Sequence, residues 1–557
     1  MAGLLHKITV NMGFRNIPDF LVRYYIPLFA TTIVTYFILI IFLPDLPVAA
    51  PYIIATIGIG AISVYPFILI EQKRNDINST MHLFITFAGA ISTINVPRGV
   101  IFKKIAEKES FGEISNVMNR IIYLARSWNL GYANSCRRIS LLSPSKIFAD
   151  FLDRFAVVMD FGEDLQIFLM EEQDAIMDDY AVEYTKSLER IKMIQEVFLA
   201  LTMAMAFMLT VGMLMPLISG DNIQPILYGM LAIITLVDVG LLFFVKSFVP
   251  KDPLEHNLSF LSQEAKQLNK IVYAGIPVAS LVFLVLLWGD WFSLIVSSAI
   301  AAIPLFIIGI AGQRLEDKIY QRDRAYPIYI RSLGTVVEIR SGAVIPSLHA
   351  LQVHDFGSMN DVSVNLYRRL RARSDKDKSW MLFGAESGSN LIVQFTNIFK
   401  DAITLGGSAQ KIGELISKNF TRLLSLRKLK LQLSSTLRGG LYGALAGLAV
   451  AGFIAAEITQ ILGNILAAPS ENLIGGEAAG IVGDLTPTDF LFELDIILLF
   501  VGIILLIHSF VSGLILKIIE GGNPYAAFFD IAIMIWISAI LSIIIPVAMV
   551  ALLPTLI

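Results

Sequence analysis

Every one of the 43 lysine and arginine residues of this 557-residue chain falls in alternate connections between nine long apolar stretches. The stretches cover residues 25–43, 48–70, 197–218, 225–245, 271–287, 291–310, 441–462, 496–516 and 529–552. A bilayer core takes roughly 20 apolar residues of helix, and each stretch comes close to that length. Alternate numbering puts residues 1–24, 71–196, 246–270, 311–440 and 517–528 on one side, together with all the basic residues. The connections near Asp45, Asp221, Asp290 and 464–495, with the C-terminus, carry none. The positive-inside rule then assigns the basic side to the cytoplasm. The reading is an all-α polytopic protein of the cell membrane with about nine transmembrane helices. Its N-terminus is expected in the cytoplasm and its C-terminus outside. Composition agrees: 55% of residues are hydrophobic and only 16% charged, the balance of a membrane protein. The first apolar run starts near residue 25 and leads into a second, so no cleaved signal peptide is expected.

The domain organisation follows from the two long cytoplasmic insertions. Residues 1–70 hold an N-terminal segment and two spans, and 71–196 form a first cytoplasmic helical domain. Residues 197–310 hold four spans around the short cytoplasmic loop 246–270. A second cytoplasmic domain covers 311–440, and 441–557 hold the last three spans. The insertions read as a duplication. Gly89, Gly112 and Gly162 match Gly334, Gly357 and Gly407, each 245 positions later. Phe111 matches Phe356 at the same offset, and Phe151 and Phe155 match Phe395 and Phe399 with a one-residue slip. Shared spacing at several positions is the signature of an internal repeat. A copy with four spans returns the chain to the same side, so the copies are parallel rather than inverted.

Both domains read as helical. Phe151, Leu152, Phe155, Val158 and Met159 have helical spacing, and Phe161-Gly162 breaks the run. Gly162-Glu163-Asp164-Leu165 opens a new helix with acids where they favour the helix dipole. No Gly or Pro then occurs until Gly212, so one helix is expected to run from the cytoplasm into the third span. From Glu163 to Lys192 it would extend about 45 Å. In the second copy Gly406-Gly407 breaks, Gly413 is a further weak point, and 414–437 runs free of Gly and Pro.

Several chemistries are excluded. There is no phosphate-binding loop: Gly406-Gly407-Ser408-Ala409-Gln410-Lys411 has the wrong order. Of six histidines only His349 and His354 are close, and five residues do not put them on one helix face, so no metal site is expected. Cys136 is the only cysteine and reads as a core residue. With no nucleophile elbow, catalytic motif, cofactor site or nucleic-acid partner, the chain does not read as an enzyme. Asp238, Glu457, Asp495 and Asp530 lie within or near spans. Intramembrane acids invite a functional reading, such as an ion-coupled transporter, or else a structural partner on a neighbouring helix. Asp495 and Asp530 sit at span ends, where they are expected to be solvated, and Asp238 is the deepest. The acids come without an evident partner base, and a transporter has little use for two large cytoplasmic domains.

Charge separates the copies. Residues 71–196 carry a net −3 and 311–440 a net +9. Part of the excess is the run Arg368, Arg369, Arg371, Arg373, Lys376 and Lys378, far from both flanking spans. Its two readings are a solvated helix face and a docking patch for an acidic partner. Arg422, Arg427, Lys428 and Lys430 lie just before the seventh span and are expected to touch anionic lipid headgroups.

The tract from Asp153-Arg154-Phe155 through Gly162-Glu163-Asp164-Leu165 to Phe168-Leu169 is similar to the domain signature of the type II secretion F family. So is Gln195-Glu196-Val197 running into the third span. These are platform proteins of type IV pilus-like machines. Two spans, a domain and two spans, given twice with an extra final span, most resembles the archaellum platforms of that family. Adhesion-pilus platforms share the order. The second copy departs at Gly407-Ser408-Ala409, which lacks the acidic pair. The resemblance implies a non-enzymatic membrane platform whose cytoplasmic domains dock a hexameric secretion ATPase. That motion would lift pilin-like subunits into a filament and, in an archaellum, support rotation. It also implies contacts with membrane lipids and a homodimer or other homo-oligomer. Candidate ATPase contacts are the basic run and Glu163-Asp164.

The topology is testable with cysteines placed at Asp221, Asp290 and Glu477. An impermeant thiol reagent should label all three in intact cells. Labelling that requires lysis would overturn the arrangement.

Overall fold

A computed structural model of the chain describes residues 18, 21–28, 49–94, 97–219, 223–249, 252–289, 291–467 and 494–552. Among these the secondary structure is helical, with no strand. The first part contains α1 (Ala49–Ser92), α2 (Arg98–Ala106), α3 (Glu113–Ser127), α4 (Tyr132–Ser140) and α5 (Lys146–Phe161). Then come α6 (Leu165–Ser219), α7 (Ile223–Phe248), α8 (Gln263–Gly289) and α9 (Leu294–Ile339). The second insertion adds α10 (Val344–Leu351), α11 (Asn360–Arg371), α12 (Lys376–Ser387) and α13 (Asn390–Thr404). The chain continues with α14 (Ala409–Ala467), α15 (Leu494–Glu520) and α16 (Ala527–Leu552).

Among the described residues, seven helices are long and apolar enough to cross a bilayer: α6–α9 and α14–α16. They carry the third to ninth apolar stretches. The second stretch falls within α1. Most of the first, 29–43, lies outside the described residues. Large apolar side chains such as Phe207, Leu236, Phe243, Leu281 and Trp288 stand exposed along these helices, as a lipid-facing surface requires and an aqueous one rarely tolerates. The chain is a multi-pass membrane protein.

Side-chain caps set the helix starts. Ser145 caps α5, its hydroxyl accepting from the Phe148 N–H at 3.3 Å. Asp164 caps α6, its carboxylate accepting from the Gln166 N–H at 2.7 Å. α6 then runs for 55 residues without a break, and α14 for 59. Gly413 is no weak point. It lies inside α14 because another helix needs the space above it.

The chain divides into two compact units. One comprises Met1–Val182, Ile330–Leu351 and Gln394–Asn419, so it combines the first insertion with parts of the second. Its core is aromatic: Phe84 meets Phe148 and Phe151 edge-on, and Phe151, Phe155 and Phe168 stack. Cys136 is fully buried there. Burial, reinforced by the Asp153 carboxylate, pushes its thiol up to about 12. The native cysteine is therefore a silent background for thiol labelling. The other unit comprises Glu183–Tyr329, Gln352–Val393 and Phe420–Ile557.

In both units α6 and α14, the equivalent helices of the expected duplication, run side by side and parallel. In the first, the Asn419 amide donates to Gln173 Oε1 at 2.9 Å and to Thr86 Oγ1 at 2.8 Å, all three residues buried. Lys418 donates to Asp174 at 2.9 Å. Gln173 and Lys418 are equivalent positions of the two copies, as are Asp174 and Asn419. The contacts are thus reciprocal, the mark of a two-fold interface. In the second unit Gln195 lies against its own equivalent, Gly440, and Leu209 lies against Gly452. Thr459 Oγ1 donates to the Met213 carbonyl at 3.3 Å.

Two of the repeated glycines share a conformational task. Gly112 and Gly357 have φ of +54° and +58° at the turns before α3 and α11. The third pair has diverged: Gly162 is left-handed at +74°, but in the second copy Gly406, not Gly407, takes that conformation at +91°. Gly89 and Gly334 serve close packing instead. A Cβ on Gly334 would stand 2.4 Å from the Ala409 carbonyl oxygen, with Gly413 Cα at 3.2 Å, and one on Gly413 would stand 2.9 Å from the Ile330 oxygen. Gly334→Ala must therefore push two helices apart, at a cost of about 1–3 kcal/mol. Gly357→Ala meets open space and should cost only the left-handed backbone, about 1–2 kcal/mol. In thermal unfolding of the purified protein, both should lower the midpoint. Only Gly334→Ala should also raise protease sensitivity between α9 and α14.

Candidate docking surface and buried charge network

The basic run forms the corner between α11 and α12. Arg368, Arg369 and Arg371 occupy the last turn of α11, where cations favour the dipole. Lys376 and Lys378 occupy the first turn of α12, which Asp375 caps by accepting from the Lys378 N–H at 2.7 Å. Arg368, Arg371, Arg373, Lys376 and Lys378 are exposed. Arg369 differs: it is half-buried and ion-paired with Glu386. The Arg371 guanidinium lies 5.9 Å from the centre of the Tyr367 ring. Arg373 adopts φ of +54°, unusual for a bulky residue. Asn129, at the matching turn of the first copy, has φ of +53°. That corner follows Arg126 in the last turn of α3 and the exposed Tyr123 and Trp128. Glu163 and Asp164 are exposed in the other unit, where Asp164 serves as the cap of α6.

Sequence reasoning missed a larger polar assembly inside the second unit. Arg427 and Lys430 do not reach headgroups; both are buried. The Arg427 guanidinium holds Asp252 through Nη2 at 2.6 Å and Nε at 2.9 Å, and Asp323 through Nη1 at 2.9 Å. Lys430 stands 3.8 Å from Asp252. Asp252 opens a segment that fastens three other elements. Leu254 N–H donates to the Gly521 carbonyl at 3.3 Å, and its own carbonyl accepts from Asn390 N–H at 2.9 Å. His256 Nε2 lies 2.9 Å from the Ala385 carbonyl oxygen.

A second cluster lies beside the first. Lys517 bridges Glu316 at 2.6 Å and Glu520 at 3.0 Å, and Arg438 bridges Glu520 at 2.6 Å and Asp530 at 2.8 Å. Tyr442 donates to Asp530 at 2.5 Å. Asp530 is therefore 1% exposed and paired, not solvated as its place at a span end suggested. Glu316, Tyr320, Arg324, Leu431, Arg438 and Glu520 line an open polar cavity of about 390 Å³. Asp238 also has a partner base, which the sequence did not reveal. His508 Nδ1 lies 3.0 and 3.1 Å from its two oxygens, both side chains fully buried. A signal for the first network was present: Arg427, Lys430, Ser434 and Arg438 fall on one face of α14 at intervals of three and four.

These are positioning elements rather than chemical ones. Removing one partner of a buried pair strands the other charge, at about 3–5 kcal/mol. Arg427→Leu should therefore lower the unfolding midpoint in detergent far more than Arg368→Ala, an exposed change worth about 0–1 kcal/mol. Adding Asp252→Asn and Asp323→Asn to Arg427→Leu should restore part of the loss. Equal midpoints for Arg427→Leu and Arg368→Ala would contradict the assignment.

Comparison with known proteins places this architecture. The family model of the type II secretion system protein F matches residues 84–216, from the core of α1 to the end of α6. The chain is 31% identical over 506 residues to the flagella accessory protein J of Methanocaldococcus jannaschii, covering 88% of this chain and 87% of that one. It is 28% identical over 498 residues to the flagella accessory protein J of Methanococcus voltae, covering 87% and 88%. An uncharacterized protein of M. jannaschii is 21% identical over 147 residues, 26% of this chain and 24% of that protein. No solved structure matches. With the likeness extending along nearly the whole length of both relatives, the chain belongs to the flagella accessory protein J family.

Proposed function

We propose that the chain is the membrane platform of a type IV pilus-like machine, an archaellum. In this reading its cytoplasmic helices dock a hexameric secretion ATPase. Movement of that ATPase is passed to the spans, where pilin-like subunits leave the lipid for the filament. The observation that carries the reading is the pair of unbroken helices α6 and α14, 55 and 59 residues long. Each begins among soluble-type helices and ends in an apolar span, and a packed continuous helix conveys displacement along its axis. The flagellar names of the relatives favour an archaellum over an adhesion pilus. Nothing in this role requires the chain to be catalytic.

The exposed part of the α11–α12 corner is the proposed electrostatic contact, with Glu163-Asp164 as the competing one. The matching corner of the first copy, with Arg126 and Trp128, supports a docking geometry offered twice by one chain. Because Arg369 already serves Glu386, the test reverses only Arg368, Arg371, Arg373 and Lys376 to Glu. Single exposed pairs contribute about 0–1 kcal/mol, so four together should weaken ATPase capture at least about tenfold at low salt. The remaining binding should lose most of its salt dependence, because the screened attraction is gone. Pull-down of purified ATPase by membranes carrying each variant, at low and high salt, measures both. Unchanged capture by a correctly inserted variant would remove this corner from the docking surface. Deletion of the whole protein should abolish surface filaments and swimming.

A further inference from the structure

The polar cavity beside α9 has no part in the docking reading, and its position limits what fills it. The apolar stretch of α9 ends at residue 310, that of α14 begins at 441 and that of α15 ends at 516. Gln313, Arg438 and Glu520 lie three or four residues past those limits, so the inner end of the cavity is about 5–6 Å from the edge of the apolar layer. From there the lining continues along one face of α9 through Asp317 and Tyr320 to Gln321 and Arg324, a run of about 16 Å. The volume of about 390 Å³ is that of a small-molecule site, for which roughly 300–1,000 Å³ is usual.

Length is the first constraint on the ligand. The headgroup layer adds roughly 5–8 Å to each face of the hydrocarbon core. A compact headgroup therefore stops short of Tyr320, about 15 Å past the apolar edge. A sugar ring with bonds of about 1.5 Å spans about 5 Å. Two in line match the distance from Asp317 to Arg324, about 10 Å along the helix.

Charge is the second. At the inner end Arg438 is committed to Glu520 and Asp530, and Lys517 to Glu316 and Glu520. A phosphate there would face the carboxylates of Glu316, Asp317 and Glu520 with no unspent cation among the lining residues of that end, whereas anionic headgroups are held by clusters of basic ones. An ammonium would suit Asp317 but be repelled at the outer end by the exposed Arg324. Neither Asp317 nor Arg324 has an ion-pair partner among the described residues. Hydroxyl groups suit both ends, because each donates to a carboxylate and accepts from a guanidinium or an amide. Tyr320 and Leu431 add apolar surface for the C–H face of a ring.

We infer that this cavity binds a neutral, hydroxyl-rich headgroup of two linked sugar rings, that of a diglycosyl lipid. The inner ring lies among Gln313, Asp317 and Glu520, and the outer ring reaches Gln321 and Arg324. The bound lipid joins α9 to α14 and α15 where their apolar stretches end.

The test is native mass spectrometry of the full chain in detergent, titrated with one lipid at a time. The probes are digalactosyl diacylglycerol, its monogalactosyl analogue, phosphatidylethanolamine and phosphatidylglycerol, all with the same acyl chains. The two-ring lipid should bind at least about tenfold more tightly than the one-ring lipid, through its added hydrogen bonds. Both should bind more tightly than the phospholipids. Gln321→Ala/Arg324→Ala should abolish the advantage of the second ring and leave monogalactosyl binding unchanged. Arg324→Gln keeps hydrogen-bond donors and should retain part of that advantage. Arg314→Ala removes another exposed cation of α9, one that does not line the cavity, and should change nothing. All three positions are exposed, where substitutions leave the fold intact. Equal binding of the one-ring and two-ring lipids, a preference for phosphatidylglycerol, or the same loss in Arg314→Ala would overturn the inference. Displacement of the lipid by an equal concentration of a soluble digalactoside would overturn the bilayer as the source of the ligand. The readout needs no ATPase or filament, so it stands or falls apart from the platform reading.

Discussion

The Arg427 guanidinium, clasped by Asp252 on two sides and Asp323 on a third, is the contact on which the lysine- and arginine-bearing end of the second unit depends. A planar fork of donors grips one carboxylate bidentately while reaching a second, whereas a lysine offers a compact point charge with no fixed fork. Once buried, each member is held by the cost of leaving the others unpaired. The segment after α7 is fixed at Asp252, and through Leu254 and His256 it fixes α15 and the α12–α13 corner. Basic residues that the positive-inside rule counts thus also knit helices together at the ends of the long apolar helices.

Much of the fold was legible because lipid imposes a length and glycine imposes punctuation. The starts of α6 and α14 fall where the Gly162 and Gly406-Gly407 breaks put them. The apolar stretches from the third onward coincide with long helices. What escaped was pairing across distance. Asp252 and Arg427 are 175 residues apart, and Asp238 and His508 are 270 apart. No local period connects them, so Asp238 read as lacking a base and Arg427 as facing lipid. Gly413 was misread for a related reason. A glycine inside a helical run looks like a break until the crossing helix, with Gly334 at its contact point, is in place. Of the candidate docking residues, the run itself was legible, but Arg369's commitment to Glu386 depends on a neighbouring helix and was not.

The contacts along α6 and α14 are reciprocal in position although the residues that make them differ. The matching positions lie at turns, as Gly112 and Gly357 do, or in the buried core, as Phe151, Phe155, Phe395 and Phe399 do. Gly112 and Gly357 keep the same positive φ, and Gln173-Asp174 and Lys418-Asn419 keep reciprocal contact. Elsewhere the copies are free to drift, even where the backbone turn persists, as at Asn129 and Arg373.

That seam has a consequence for how such a protein can evolve. Two identical subunits meeting on a two-fold axis must accept every substitution twice, so their halves can never differ. Here the halves are one polypeptide, and a change in one leaves the other untouched. The paired arrangement keeps the reciprocal geometry of a dimer while residues 71–196 carry a net −3 and residues 311–440 a net +9. Within one chain, a reciprocal interface needs no symmetry to persist.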